Sequence, residues 1–364
     1  MVRDEIPTPA LLLDLEAFEA NVTTMAGFVA ARGKGFRPHG KTHKCPEIAR
    51  RLVAAGAVGS CTARLSEAEV FAAHGIPGLL VTTAVVGPHK AARAAALSAT
   101  APDTIFVADD ADAVRALDAA ASRQDTPMLV AVDLYFGRTG VPPGEPARDL
   151  ARVIASCRHL RFAGLQSYDA AASHTHGYAA RRARTTGTMA QAVATRQLIE
   201  ADGLACPMVS AGSTGSYRFD AEIDGITELQ PGSFIFMDVD YAKIGGADGR
   251  DAYTDFRTAL SVVTTVISAL GDDAIVDGGF KAFATDRAFG PEPIGEPGLT
   301  YTWAGDEHGR LDLRQAARRL KVGDRVAFRV PHCDPTVNLY DELHVLRGDL
   351  VEDVWPIAAR GKSQ

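Results

Sequence analysis

The sequence predicts an α/β chain in which a (β/α)8 barrel is followed by a mostly antiparallel β domain. Three observations predict it. Up to about residue 245, short apolar runs alternate with alanine-rich helical segments, the pattern of a parallel sheet. The alternation repeats about eight times, which favours a closed barrel over an open sheet. Past Tyr241 the texture changes to β-rich runs joined by Gly and Asp turns. The expected domains are 10–245 for the barrel, and 246–364 with 1–9 for the β domain.

Each unit has its own signal. "ALLLDL" opens the series, with a helix near Glu16 to Arg32. "GFRPHGKTH" precedes "PEIARRLVAAG", where Pro46 suits a first helical turn and Gly56 a C-cap. "GSCTA" precedes "SEAEVFAAHG", which reads as a capping box of Ser66 and Glu69. "GLLVTTA", "IFVADD", "MLVAVDLY" and "FAGLQSY" each lead into a helix, the last two into Glu145–Cys157 and about Arg181–Ala201. "PMVSAG" and "ITELQPG" complete the barrel. In the β domain, "TALSVVTTVIS", "DDAIVDGG", "DRVAFRVP" and "DELHVLRGDLVEDVWPI" read as strands, with one short helix at "LRQAARRL".

Composition excludes several classes. A net charge of −7 over 364 residues argues against nucleic acid or an anionic membrane as partner. Arg181, Arg182 and Arg184 read as a solvated helix face. No apolar run approaches the ~20 residues of a membrane helix, and the amino terminus lacks a secretory pattern. Five scattered cysteines without a CxxC fit a reducing cytoplasm and no disulfides.

The stretch "RPHGKTHK" carries the first chemical signal. In an extended strand Arg37, His39, Lys41 and His43 share one face, and cations crowded with Lys44 around Lys41 disfavour its ammonium form. That makes an amine suited to a Schiff base at a strand's C-terminal end; the plain alternative is a surface lysine. The second signal is "SAGSTGSYRF". Gly212 and Gly215 allow tight turns, Ser213 and Thr214 offer hydroxyls, and the backbone amides form a nest for phosphate. Gly232 and Ser233, at the next strand end, complete the cup.

Taken together, "TPALLLDLEAFEANV", "RPHGKTHKCPEIARRLVAAGAVG", "GSTGSYRFD", "TELQPGSFIFMD" and "PHCDPTVNLYDELHV" resemble the D-threonine aldolase and D-serine dehydratase group. These are pyridoxal 5′-phosphate (PLP) enzymes of the alanine racemase-like fold. The resemblance implies that Lys41 is the Schiff-base lysine and that the enzyme is a homodimer. By motif, Arg138 in "DLYFGRTGV" matches an arginine at the polar edge of the cofactor ring, and Tyr168 in "GLQSYD" a tyrosine beside it.

His332 and Asp334 in "PHCDPTVN" stand two apart, on one face of an expected extended segment with Cys333 pointing away. The resemblance makes them a divalent-cation half-site, with Mn2+ or Mg2+ foremost and Co2+ or Zn2+ as alternatives. Dehydratases of the group look like His-x-Cys and aldolases like His-x-Asp, so Asp334 favours the aldolase. His174, with His176 as a near alternative, matches a histidine by the substrate hydroxyl, although Ala170 and Ser173 depart from the group's pattern. Asp306 and His308 match a segment near the metal, and His39 and His43 are assigned no step. The expected reaction cleaves a β-hydroxy-D-amino acid to glycine and an aldehyde. Loss of water to a 2-oxo acid and ammonia is the runner-up, and a non-catalytic PLP carrier is the rival from another class.

Overall fold

After a first strand β1 (Ala10–Asp14), eight short strands run parallel in the computed structural model, which describes residues 1–364. They are β2 (Gly35–Phe36), β3 (Cys61–Thr62), β4 (Leu80–Val81), β5 (Ile105–Ala108), β6 (Met128–Asp133), β7 (Leu160–Ser167), β8 (Met208–Ala211) and β9 (Glu228–Leu229). Their order is β2-β9-β8-β7-β6-β5-β4-β3. A bridge from His39 to Cys61 joins the two ends, with the Cys61 amide donating to Pro38 O at 2.9 Å. The barrel is therefore a ring. Cys61, Leu80, Ile105, Val107, Ala131 and Met208 pack together as a buried cluster, and each large side chain so buried contributes about 1.5–3 kcal/mol.

The helices between strands form where caps and prolines permit. Pro46 starts Pro46–Ala54, and Pro88 starts Pro88–Thr100 behind Gly87. Asp110 caps Ala111–Arg123 by accepting from the amides of Asp112 (2.8 Å) and Ala113 (3.0 Å). The expected box at Ser66 and Glu69 lies two residues earlier. Glu67 accepts from the Ala63 and Arg64 amides at 2.7 and 3.1 Å, while Glu69 pairs with Arg93 on the next helix. Glu145–Ser156 and Tyr178–Ala201 match the expected helices to within a few residues.

The remaining strands are β10 (Leu260–Leu270), β11 (Asp273–Val276), β12 (Glu292–Pro293), β13 (Thr300–Trp303), β14 (Gly309–Asp312), β15 (Arg325–Arg329), β16 (Glu342–Arg347) and β17 (Leu350–Pro356). They build a mostly antiparallel sheet in the order β13-β14-β11-β10-β1-β16-β17, with β15 pairing β10 and β12. Strand β1, expected to open the barrel, belongs here instead. It pairs antiparallel with β10 and parallel with β16, and its apolar residues are buried as in a central strand. The compact units thus divide the chain differently from a single cut near 245. One comprises Met1–Thr24, Thr42–Cys45 and Ser233–Gly361, the other Met25–Lys41, Pro46–Gly232 and Lys362–Gln364. The helix expected at "LRQAARRL" does not form. Its arginines reach acids of neighbouring turns, Arg314 to Asp312, Arg318 to Glu296 and Arg319 to Asp272, and the segment stays irregular. All five cysteines are free, and no helix is long and apolar enough to cross a membrane.

Candidate active site

Because the eight barrel strands are parallel, their C-terminal ends share one mouth. Lys41 follows β2, Arg138 follows β6, Tyr168 follows β7 and the Gly212–Gly215 loop follows β8. The single basic face expected of "RPHGKTHK" does not form. The strand ends at Phe36, and Gly40–Thr42 is a 3-10 turn that carries Lys41 to the mouth. A Cβ on Gly40 would stand 2.5 Å from the Phe71 ring, so only glycine lets the turn pack there.

The other basic groups are spent separately. Arg37 is buried and paired with Glu228 through two bonds of 2.8 and 2.9 Å, and it also donates to Gly78 O. His39 Nδ1 accepts from the Lys41 amide at 3.3 Å, which leaves Nε2–H to donate to Thr82 Oγ1 at 3.2 Å. His39 thus orients the lysine's backbone. His43 is buried, its Nδ1 accepts from the Cys45 amide at 3.1 Å, and burial lowers its pKa to about 3, so it stays neutral.

Lys41, Arg138 and Tyr168 line one cavity of about 330 Å³, together with His39, Arg64 and Gln230 among others. The Arg138 guanidinium carbon lies 5.5 Å from the Tyr168 ring centroid, within cation–π reach. A tied loop sets Arg138 in place. Thr139 donates to Asp133 Oδ2 at 2.9 Å, and Gly140 N donates to Asp109 Oδ2 at 3.2 Å. Burial pushes the Asp133 carboxyl up to about 7, against the Thr139 hydrogen bond that favours its charged form. On the cavity floor Gln230 Nε2 donates to Gln166 Oε1 (2.6 Å) and Ser210 Oγ (2.7 Å). Neither glutamine nor Asp133 stood out in the sequence.

The Gly/Ser loop is built as a rigid turn. Gly212 has φ +85°, a conformation that favours glycine, and a Cβ there would crowd Asp220 and Leu229 at 3.2 Å. Ser213 Oγ pairs with Ser216 Oγ at 2.8 Å, and Ser213 O accepts from the Tyr217 amide at 2.9 Å. Thr214 is buried. Gly215 O accepts from Arg181 Nε at 2.8 Å, and the same guanidinium donates to Thr175 O at 2.9 Å. Arg181 was expected on a solvated face, yet it is among the largest fully buried side chains of the protein. Its helix turns it inward because two loop carbonyls need a donor. Arg182 and Arg184 keep to the surface, paired with Glu222 and Asp169.

Behind this loop the Asp220 carboxyl is fully buried, its Oδ2 has no hydrogen-bond partner, and burial pushes its pKa up to about 7. A folded pKa above the unfolded ~4 means stability that is present at low pH and lost as pH rises through 7. Asp220→Asn is therefore expected to gain about 2 kcal/mol on the wild type between pH 5 and pH 8. Denaturant titrations at the two pH values measure this; a difference that does not change with pH would disprove the shift.

His174 does not line the cavity. It is the C-cap of the short helix Ala170–Ser173, whose N-cap Asp169 accepts from the Ala171 (2.9 Å) and Ala172 (3.1 Å) amides. Arg184 and Thr188 fix the other Asp169 oxygen, both at 3.0 Å, so the loop between Tyr168 and His174 is anchored. His176 is exposed. Gly232 ends the barrel unit, and Ser233 is buried at the start of the turn Ser233–Ile235.

In the β unit, "PHCDPTVN" is not extended through Asp334. His332 is the N-cap of the helix Cys333–Val337, so Asp334 stands in its first turn. His332 Nδ1 meets Asp286 Oδ2 at 2.8 Å, which leaves Nε2 as the ring's lone pair. Arg287 ties this carboxylate (2.6 Å) to Asp240 (2.7 Å). Cys333 turns to Asp238, whose Oδ2 accepts from its amide (2.9 Å) and thiol (3.1 Å), and burial holds that thiol well above the ordinary range. No group of three or more His, Cys, Asp or Glu side chains comes together as a metal cluster. The His332 imidazole is oriented by the Asp286 carboxylate, as metal-bound histidines are by a second group. Asp306 and His308 occupy the turn between β13 and β14, where their carbonyls accept from Lys281 and Ala304.

Comparison with known proteins identifies the family and the fold. The alanine racemase N-terminal domain family matches residues 13–240, and a putative serine dehydratase domain matches 259–346. A 3-hydroxy-D-aspartate aldolase of Paracoccus denitrificans (strain Pd 1222) is 38% identical over 367 residues, covering 100% of this chain and 94% of the relative. The crystal structure of D-threonine aldolase from Filomicrobium marinum superposes with a TM-score of 0.95 at 38% identity, covering 99% of this chain and 98% of that one. A D-threo-3-hydroxyaspartate dehydratase of Delftia sp. (strain HT23) is more distant, at 29% identity over 96% of this chain and 97% of the relative. With a racemase-type barrel, a dehydratase-type β domain and aldolases among its full-length relatives, this chain belongs to the D-threonine aldolase and D-serine dehydratase group of alanine racemase-like PLP enzymes.

Proposed function

We propose that the protein is a PLP- and divalent-metal-dependent aldolase that cleaves a β-hydroxy-D-amino acid to glycine and an aldehyde. The observation that carries the reading is the convergence of Lys41, Arg138 and Tyr168 on one cavity at the barrel mouth. The residues fit the cofactor: an amine for its aldehyde, a guanidinium for its phenolate oxygen, a tyrosine beside the ring, and a glycine turn at Gly212–Gly215 for its phosphate, with Gly232 and Ser233 assigned to the same cup. Bound there, PLP supplies the electron sink that carbon–carbon cleavage requires. His332 and Asp334 would hold a divalent cation, Mn2+ or Mg2+ in preference to Co2+ or Zn2+, as a Lewis acid for the substrate hydroxyl.

The chain's own groups do the rest. His39 fixes the backbone that presents the Lys41 amine. Arg138 stays over Tyr168 because Asp133 and Asp109 tie its loop. His174, although outside the cavity lining, is assigned the β-hydroxyl proton from the loop that Asp169 holds. Removal of that proton, cleavage of Cα–Cβ and protonation of Cα balance as one aldehyde and one glycine. Five free thiols suit a cytoplasmic enzyme, and we assign it a homodimeric state.

A product assay on D-threonine and 3-hydroxy-D-aspartate, with manganese and with a chelator, tests the reading. Glycine with an aldehyde, lost on chelation, is the expected result. Ammonia with a 2-oxo acid would replace the aldolase by a dehydratase, and no turnover of any hydroxy-amino acid would favour a PLP carrier.

A further inference from the structure

We propose that Arg64 selects substrates bearing a carboxylate on Cβ, a specificity that rests on the aldolase reading above. The cavity lining holds three cationic side chains, Lys41, Arg64 and Arg138, and no aspartate or glutamate. Lys41 is committed to the cofactor and Arg138 lies over Tyr168 at the ring edge. Arg64 is exposed at the rim and forms no ion pair or hydrogen bond through its guanidinium.

The acid closest in sequence does not neutralise it. Glu67 Oε2 accepts from the backbone amides of Ala63 (2.7 Å) and Arg64 (3.1 Å), so this oxygen serves the helix start. Those bonds also fix the Arg64 backbone as the N-cap of the helix Leu65–Ala73, with φ −132° and ψ 150°. An unpaired guanidinium in the cavity lining, on a backbone held in place, is a carboxylate receptor awaiting its anion. The rest of the wall agrees. Ala63 is the only lining side chain without a polar group, and Thr82, Thr83, Gln166 and Gln230 present hydroxyls and amides. A methyl or aryl substituent would leave the Arg64 guanidinium without a partner, whereas a carboxylate pairs with it.

Two ligands without a β-hydroxyl isolate the interaction, since neither can be cleaved. D-aspartate carries the second carboxylate and D-2-aminobutyrate carries a methyl in its place. Titrating the holoenzyme by its cofactor absorbance, we expect D-aspartate to bind about 30-fold tighter or more. In Arg64→Met the preference should fall to near unity through loss of D-aspartate affinity, and Arg64→Lys should restore part of it. Equal weakening of both ligands would make Arg64 the receptor of the shared α-carboxylate, and no change in either would make it a solvated rim residue. Either result overturns the assignment. Failure of the aldolase reading shows separately, as no glycine from hydroxy-amino acids, and leaves both binding curves readable.

Discussion

Lys41→Ala is expected to lower D-threonine cleavage by about 10^4-fold or more, the scale of removing a covalent participant. The cause is local. The Gly40–Thr42 turn, packed on Phe71 and held by His39, puts this amine and no other lysine in the cavity shared by Arg138 and Tyr168. Borohydride reduction of the holoenzyme followed by peptide mapping should label the peptide containing Lys41, and the variant should take up no label. The variant's fold is checked by its thermal transition, since Lys41 makes no part of either core. Label on another lysine, or a variant with undiminished turnover, would remove the amine from the mechanism.

His332→Ala is expected to abolish manganese binding and to lower cleavage by about 100-fold or more, matching a chelated wild type. Asp334→Asn removes one charge at constant shape and should act in the same direction. The Asp286 contact adds a graded result. Since Asp286 orients the His332 ring through Nδ1, Asp286→Asn should weaken the metal by about 10-fold to 100-fold while a saturating cation restores turnover. Calorimetric titration with manganese measures all three variants. Unchanged affinity in His332→Ala would place the cation elsewhere in the protein. The sequence could not show Asp286, because 46 residues separate it from the histidine it holds.

What the sequence disclosed, and what it hid, follows from the range of the forces involved. Lys41 and the Gly212–Gly215 loop drew attention in the sequence because their signals are local, a run of basic residues and closely spaced glycines; Gly212 does take positive φ, but the shared basic face inferred from that run does not form. Barrel strands and helices were legible because capping and periodicity act within a few residues. Arg181 was misread because it sits on a helix beside two exposed arginines. Only the carbonyls of Gly215 and Thr175, supplied by distant loops, turn it inward. The segment "LRQAARRL" has helical propensity, but its arginines find acids in separate turns, and tertiary pairing wins. Asp133, Asp169 and Asp238 escaped notice because a buried carboxylate bonded to a loop looks, in sequence, like any turn aspartate.

Strand β1 imposes an order on the birth of this protein. Its neighbours on either side, β10 and β16, begin about 250 and 330 residues later. On the ribosome the segment "ALLLD" therefore emerges with both hydrogen-bonding edges bare and stays so until nearly the whole polypeptide exists. A shortened polypeptide ending at residue 245 would carry that apolar segment without its partners, and aggregation during synthesis is its natural fate. Neither half of this enzyme can be borrowed by cutting the gene once.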